Sequence, residues 1–385
     1  MPLTIPKILA ASLLLLLLAS CELEEGVPLR APSGATPDAE IDWSATADSM
    51  QEAFYTTYLG ANGTFVQDNR GTATFHYWPN AHALHVLVDG YERTGDPAYL
   101  PRMLELLRGI RTMHGGSYSN VFNDDMLWLG NASVRAYNAT GNEEYREVAE
   151  FLWEDIIMSY SDIFGGGISW KKDTPYSKNA VSNGPAIVLA MRLYALDQDS
   201  TYLQWARDLY EWQNANLVDP ATGLVWDNIS EENGTVSVQK DWVFTYNQGT
   251  WIGAGNWLYE ATGEEGYLNN SLRTARSLMT SPKVTTDGIL RDEGQGDGGL
   301  FKGILVRYLT ELILQPDIND SDRQKLVDFM QYNGETFYQD GLLRPEMLAG
   351  PNWARQPTDR TDLTTQLSGL MLVEAMAKLQ AADLL

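Results

Sequence analysis

The chain has 385 residues, 44% of them hydrophobic, and a formal net charge of -24. That length and apolar content suit a globular protein with one large core or two ordinary ones. The charge argues against nucleic acid, anionic lipid or a polyanionic substrate as partner, whereas a neutral substrate meets no such repulsion. The 12 Trp and 19 Tyr favour a carbohydrate partner, because aromatic faces stack on the C–H faces of sugars. Large helical cores draw on the same residues, so composition leaves both readings open.

In chain order, the first element is an export signal over residues 1–20. Lys7 precedes an apolar run from Ile8 to Leu18, and Leu18-Ala19-Ser20-Cys21 places small residues before a cut. The run is short for a membrane span. Cys21 is the only cysteine in the chain. The pattern resembles a bacterial lipobox, which implies that Cys21 is acylated and becomes the mature N-terminus. With no cysteine left for disulfides, the fold rests on its core. The acidic stretch Glu22, Glu24 and Glu25 resembles the surface-export signal of Bacteroidetes-type lipoproteins. The expectation is an outer-membrane lipoprotein exposed at the cell surface. Residues 21–45, rich in Pro, Gly, Ala and Ser between Gly26 and Asp38, read as a flexible tether. Residues 46–385 read as one folded domain.

A repeat then sets the architecture. Tyr91-Glu-Arg-Thr94-Gly95-Asp96 through Tyr99 recurs at Tyr137 to Tyr145, Tyr194 to Tyr202 and Tyr259 to Tyr267, with two tyrosines eight apart each time. The reading is a helix ending near the first Tyr, a left-handed C-cap at Thr-Gly, an acidic residue opening the next helix, and a second Tyr packing its first turn. Apolar residues at three- and four-residue steps flank these turns, and less regular versions run from Phe301 to Leu314, Asp322 to Phe337 and Leu363 to Leu379. Only the segment from Val225 to Val243 suggests a hairpin. About six helix pairs with apolar inner members predict an all-α (α/α)6 toroid. An open solenoid would have shorter, more uniform repeats. Long Gly-, Asn- and Trp-rich loops precede the inner helices and short turns follow them, so the long loops gather on one face and build the site.

The candidate catalytic residues are Asp124 and Asp125, before the inner helix that begins Met126-Leu127-Trp128. Glycoside cleavage generally uses two carboxyl groups, one protonating the leaving oxygen and one attacking the sugar or activating water. Adjacent carboxylates repel, which raises one pKa and suits the acid role. As a dipeptide alone the pair fits a helix cap better than a catalyst, and its place before an inner helix among the other loop motifs reverses that. Candidate substrate contacts are Trp78, Trp128 and Trp170 as aromatic platforms, and Asn179, Asn183, Asp227, Tyr246, Asn247 and Gln248 as hydrogen-bonding groups. Phe301 and Lys302 complete the set. Asp292, Glu293 and Asp297 among glycines are a minor candidate for calcium, and their spacing does not match an EF-hand loop. His82 and His85 are three apart on one helix, but no third His or Cys accompanies them, so no metal site is expected. No cofactor fingerprint is present.

Taken in order, Phe-Asn-Asp-Asp at 122–125, Gly-Gly-Gly-Ile-Ser-Trp at 165–170, Lys-Asn-Ala-Val-Ser-Asn at 178–183, Tyr-Asn-Gln-Gly at 246–249 and Phe-Lys-Gly-Ile at 301–304, with Arg-Tyr-Leu at 307–309, resemble glycoside hydrolase family 76. The resemblance spans roughly residues 50 to 380. It implies an (α/α)6 fold and cofactor-independent, retaining, endo-acting cleavage of α-1,6-linked mannose in α-mannan. It also implies Asp124 as nucleophile and Asp125 as acid/base. Fungal relatives act as transglycosylases, so a sugar acceptor in place of water is one alternative. A glycan-binding lipoprotein without turnover is another, and an unsaturated uronyl hydrolase, which would need a basic subsite, a third. Where many members carry a Trp-rich stretch after the pair, this chain reads Met126-Leu127-Trp128. The chain is expected to act as a monomer.

Overall fold

The computed structural model describes residues 41–385. The signal peptide, Cys21 and the tether as far as residue 40 lie outside the described residues. Residues 43–45, assigned to the tether from sequence, instead form the first turn of a helix. Asp42 caps that turn, its carboxylate accepting the Ala45 N–H at 2.8 Å.

The described residues form twelve α-helices: α1 (Trp43–Tyr58), α2 (Tyr77–Thr94), α3 (Tyr99–Met113), α4 (Asn123–Thr140), α5 (Glu143–Ile157), α6 (Ala180–Asp197), α7 (Ser200–Leu217), α8 (Thr245–Thr262), α9 (Glu265–Thr280), α10 (Gly298–Ile313), α11 (Asp320–Thr336) and α12 (Leu363–Ala381). The even-numbered helices pack side by side in order, and α12 closes on α2. The odd-numbered helices lie outside them. This is the (α/α)6 toroid. Its sixth pair is α12 with α1, from opposite ends of the chain. The Trp43 N–H donates to Gln380 Oε1 at 3.1 Å across that seam.

Sequence pattern separates the two rings. The outer helix α3 buries one stripe, Tyr99, Met103, Leu106, Leu107 and Ile110, as an amphipathic helix does. The inner helices α6 and α12 are buried without a break from Ala180 to Leu193 and from Leu363 to Ala377. Each fully buried Leu, Ile or Val contributes about 1.5–3 kcal/mol. Glycines set the closest approach: a Cβ on Gly253 of α8 would lie 2.2 Å from the Tyr308 ring of α10, and one on Gly249 2.6 Å from Leu305 Cα.

The repeated turns follow the sequence reading. Gly95, Gly141 and Gly263 sit at φ 67°, 69° and 70°. The hydroxyls of Thr94, Thr140 and Thr262 each donate 2.7 Å to the carbonyl four residues back. The same oxygens accept the N–H two residues ahead. Gln198 takes the left-handed place in the repeat that lacks glycine. The anticipated hairpin is present: β2 (Asn228–Glu232) pairs antiparallel with β3 (Thr235–Val238), and β1 (Ser177–Asn179) adds on the other side of β2.

A second repeat holds the long loops. The fourth residue of α2, α6, α8 and α12 is Asn80, Asn183, Gln248 and Gln366. Each amide grips backbone of the preceding loop much as a neighbouring strand would. Asn80 accepts the Phe65 N–H at 2.7 Å and donates to the Phe65 carbonyl at 3.2 Å. Asn183 does the same to Ile168 at 2.8 and 3.1 Å, and Gln248 to Val225 at 2.8 Å both ways. Gln366 accepts from the Ala349 N–H and donates to the Met347 carbonyl. The clasp satisfies buried loop backbone that would otherwise cost about 1–3 kcal/mol per group, and it fixes each loop over the mouth of the ring.

Candidate active site

Asp124 and Asp125 occupy the first turn of α4, whose N-cap residue, Phe122, offers no side-chain cap. Neither aspartate caps this helix, so the capping alternative falls away. The glycine loop zips onto the residues before α4. The Asn123 N–H donates to the Trp170 carbonyl at 3.0 Å, the Lys172 N–H to the Val121 carbonyl at 3.0 Å, and Asn123 Nδ2 to the Ser169 carbonyl at 2.8 Å. Trp170 is thereby placed so that its indole Nε1 donates 3.2 Å to Asp124 Oδ2. Beneath the loop, the buried ammonium of Lys178 donates to the carbonyls of Ser161, Ile163, Gly166 and Gly167 at 2.5–2.9 Å. Gly167, at φ 85°, lies flat on the Trp212 ring, where a Cβ would come within 2.6 Å. Only glycine fits both constraints.

The two carboxyls have different surroundings. Asp124 accepts two N–H groups, the Trp170 indole and, at 3.1 Å, the backbone of Asp125. Asp125 accepts one, from Asn120 Nδ2 at 2.8 Å. Burial pushes the Asp124 pKa up to about 7, with its hydrogen bonds opposing and the Asp297 charge adding to the rise. Burial, then the charges of Asp124 and Asp297, hold Asp125 well above the usual carboxylate range. Donors stabilise the anion, so Asp124 ionises first. Its charge then helps Asp125 keep a proton.

Aromatic rings wall the groove. Tyr246 stacks on Phe301 with centroids 3.8 Å apart, Phe244 packs on both, and Trp78 lies 6.3 Å from Phe301. Trp78 Nε1 donates to Asp297 Oδ1 at 3.0 Å, which holds that carboxylate beside the pair. Burial, followed by the charges of Asp227 and Asp124, keeps the Tyr246 phenol protonated. Asn247 Nδ2 donates to Asp227 Oδ1 at 3.1 Å. The floor is His82, whose ring lies 4.8 Å from Trp128 and edge-on to Trp78. Burial and then Arg307 hold His82 neutral, and burial with Arg307 and Arg135 does the same for His85.

The structure therefore brings Asp124, Asp125, Trp78, Trp170, Asp227, Tyr246, Asn247 and Phe301 together. It directs other candidates elsewhere. Trp128 is 3% exposed and forms the floor rather than an open platform. Asn179 caps α6 through the Ser182 N–H. The amides of Asn183 and Gln248 are consumed by their loop clasps. Lys302, 1% exposed, reaches the Pro351 carbonyl over the Trp353 ring. Asp292, Glu293 and Asp297 do not converge: they accept from Gly294, Thr245 and Trp78 respectively. Sequence reading missed Asn120 and the part Asp297 plays beside the pair. Asn120 lies five residues before Asp125 in an irregular loop, where no periodicity could reveal it.

Comparison with known proteins settles the family. The sequence profile of glycosyl hydrolase family 76 matches residues 42–384. The chain belongs to glycosyl hydrolase family 76. Among solved family structures, an α-1,6-mannanase of Salegentibacter sp. is 54% identical, with a TM-score of 0.87 over 88% of this chain and 100% of that one. An inactive variant of that enzyme, with two aspartates at consecutive positions replaced by alanine, is solved with an α-1,6-linked mannotetraose. A Listeria innocua protein is 34% identical, with a TM-score of 0.82 over 89% of this chain and 99% of that one. Mannan endo-1,6-alpha-mannosidase DCW1 of Saccharomyces cerevisiae is 31% identical over 49% of this chain and 45% of its own length. The chain spans between 45% and 65% of the length of the first curated fungal relatives it matches.

Proposed function

We propose that this protein is a retaining, endo-acting glycoside hydrolase that cleaves α-1,6-mannosidic linkages in α-mannan. The observation that carries the reading is the Asp124–Asp125 pair, two carboxyls with unequal hydrogen bonding in one aromatic-walled groove. The 54% identity to an α-1,6-mannanase supports the choice of sugar and linkage.

A mannan chain lies along Tyr246 and Trp78, whose faces meet sugar C–H groups while Asp227 and Asp297 take hydroxyls; Phe301 backs Tyr246, and buried Asn247 holds Asp227 in place. Ionised Asp124 attacks the anomeric carbon. Protonated Asp125 delivers its proton to the departing glycosidic oxygen, so the C–O bond breaks without an alkoxide leaving. The product is a mannosyl ester of Asp124, with the shortened chain released. Asp125, now a carboxylate, takes a proton from water, which attacks the same carbon and restores Asp124. Two inversions retain the α configuration. Proton NMR during hydrolysis of α-1,6-mannan tests this: the first reducing end formed is the α anomer. A β anomer first, or no hydrolysis, overturns the reading.

We also propose that acylated Cys21 holds the domain at the outer-membrane surface, on the strength of the Leu-Ala-Ser-Cys pattern. Radiolabelled palmitate should enter the intact protein and not Cys21→Ala, and surface protease should remove the intact protein from whole cells. A label that persists in the variant defeats the proposal.

A further inference from the structure

The ring has a second opening. At the end opposite the aspartate pair, the last turns of the six inner helices surround a cavity of about 860 Å³. Small-molecule sites commonly enclose roughly 300–1,000 Å³. The helix that starts with Asp124 and Asp125 contributes Arg135 and Asn138 to this cavity, near its other end. An 18-residue helix is about 27 Å long, so the two openings are separate sites. Buried His82 and His85 lie between them, accepting from Arg307 at 3.4 Å and Arg135 at 3.3 Å.

The lining chemistry limits what enters. Five Arg and Lys face six Asp and Glu around the cavity. The guanidiniums are already engaged: Arg135 with Asp89 and Glu92 at 2.7 Å, Arg93 with Glu374 at 2.8 Å, and Arg192 with Glu311 at 3.3 Å. Lys378, Glu260 and Asp317 at the rim stand outside those pairs. An anion at the guanidiniums, or a cation at Asp89, Glu92, Glu311 or Glu374, would have to break them. A neutral polyhydroxylated ligand need not. It can accept and donate at planar groups that keep their partners. Trp257 adds the apolar half of such a site. Its Nε1 is tied to Glu311 at 3.2 Å and Arg192 lies 5.4 Å over one face of its ring, so what it offers the cavity is the remaining ring surface; Met371, Leu314 and Ala375 also line the cavity.

We propose that this opposite-face cavity is a second saccharide-binding site, which holds a mannan chain against Trp257 while another stretch of the polymer lies in the aspartate groove. The choice of sugar rests on the mannanase reading above. A neighbouring binding site raises the local concentration of a long substrate and does nothing for a short one.

The test begins with hydrolysis of α-1,6-mannan by the unmodified chain, whose absence would remove the mannanase reading by itself. Calorimetric titration of Asp124→Asn/Asp125→Asn protein with α-1,6-mannotetraose should then give two sites per chain. Trp257→Ala in that background should leave one. So should Asn138→Trp, which fills the mouth from an exposed rim position and spares the packing. In the active enzyme, either change should leave mannotetraose hydrolysis unaltered and raise KM on the long polymer several-fold. A single site in the inactive protein, or two sites surviving both substitutions, overturns the second-site proposal.

Discussion

Asp89 at the turn end of the ring and the aspartate pair at the loop end are carboxylates treated in opposite ways. At the turn end, burial alone would raise the pKa of Asp89, but Arg135 and Arg307 outweigh it and hold the group below its ordinary value. At the loop end, Asp124 and Asp125 are half-buried as well, yet they meet indole and amide donors and each other rather than a cation, so both pKa values rise. Burial is common to both, and two arginines tip Asp89 the other way; one is not enough for Glu374, which burial holds up despite Arg93. A paired acid is locked into the fold, whereas an acid with neutral partners keeps a movable proton. The arginines also oppose the partial negative charge where six helix C-termini converge. The aspartates gain from lying at a helix N-terminus, which favours the ionised form of the pair.

The largest expected effect is on turnover at the loop end. Asp124→Asn or Asp125→Asn should lower kcat on α-1,6-mannan by at least about 10³-fold, with the circular dichroism spectrum unchanged. Activity within tenfold of the parent in either variant would erase the distinction between the ends. The corresponding change at the turn end should reverse the pattern. Asp89→Asn leaves Arg135 and Arg307 poorly compensated and should cost about 3 kcal/mol in denaturant unfolding, while the folded fraction retains its kcat.

Next comes the loop scaffold. Asn183→Leu removes both hydrogen bonds to Ile168, at a cost of about 2 kcal/mol. Because that loop carries Trp170 to Asp124, kcat should fall as well. Stability lost with kcat intact would separate the clasp from the site.

The smallest effect concerns pH. Asp124 has a folded pKa raised to about 7 against an unfolded value near 4. Between those values the folded state binds more protons than the unfolded one, so Asp124 costs stability as pH rises through the window. Asparagine cannot ionise. Asp124→Asn should therefore melt like the parent near pH 4 and progressively higher than the parent by pH 8. Melting curves that coincide at pH 8 would place the Asp124 pKa in the ordinary range.

What was legible in the sequence follows from how local the physics is. The Thr-Gly turns could be read because hydroxyl, left-handed glycine and following acid act within a few residues. The toroid followed from those turns and from the apolar inner helices. The destination of a polar side chain is not local. Asn183 and Gln248 looked like sugar contacts because an amide at a helix start can face a groove or turn back to a loop 15 or 23 residues earlier. Asn80 and Gln366, in the same helical position, show that turning back is the repeat's rule. Lys302 and Trp128 were misplaced for a related reason: motif residues that build a site also include its buried supports. The sixth helix pair was obscured because α1 and α12 meet only after the whole chain has folded.

The central claim is that the two aspartates divide the work, Asp124 attacking and Asp125 carrying the proton. It is tested most directly by trapping the covalent intermediate with a fluorinated mannosyl fluoride that forms the ester readily and hydrolyses slowly. Peptide mass spectrometry should then find one mannosyl adduct, on Asp124. An adduct on Asp125, or on a carboxylate outside the pair, would contradict the assignment.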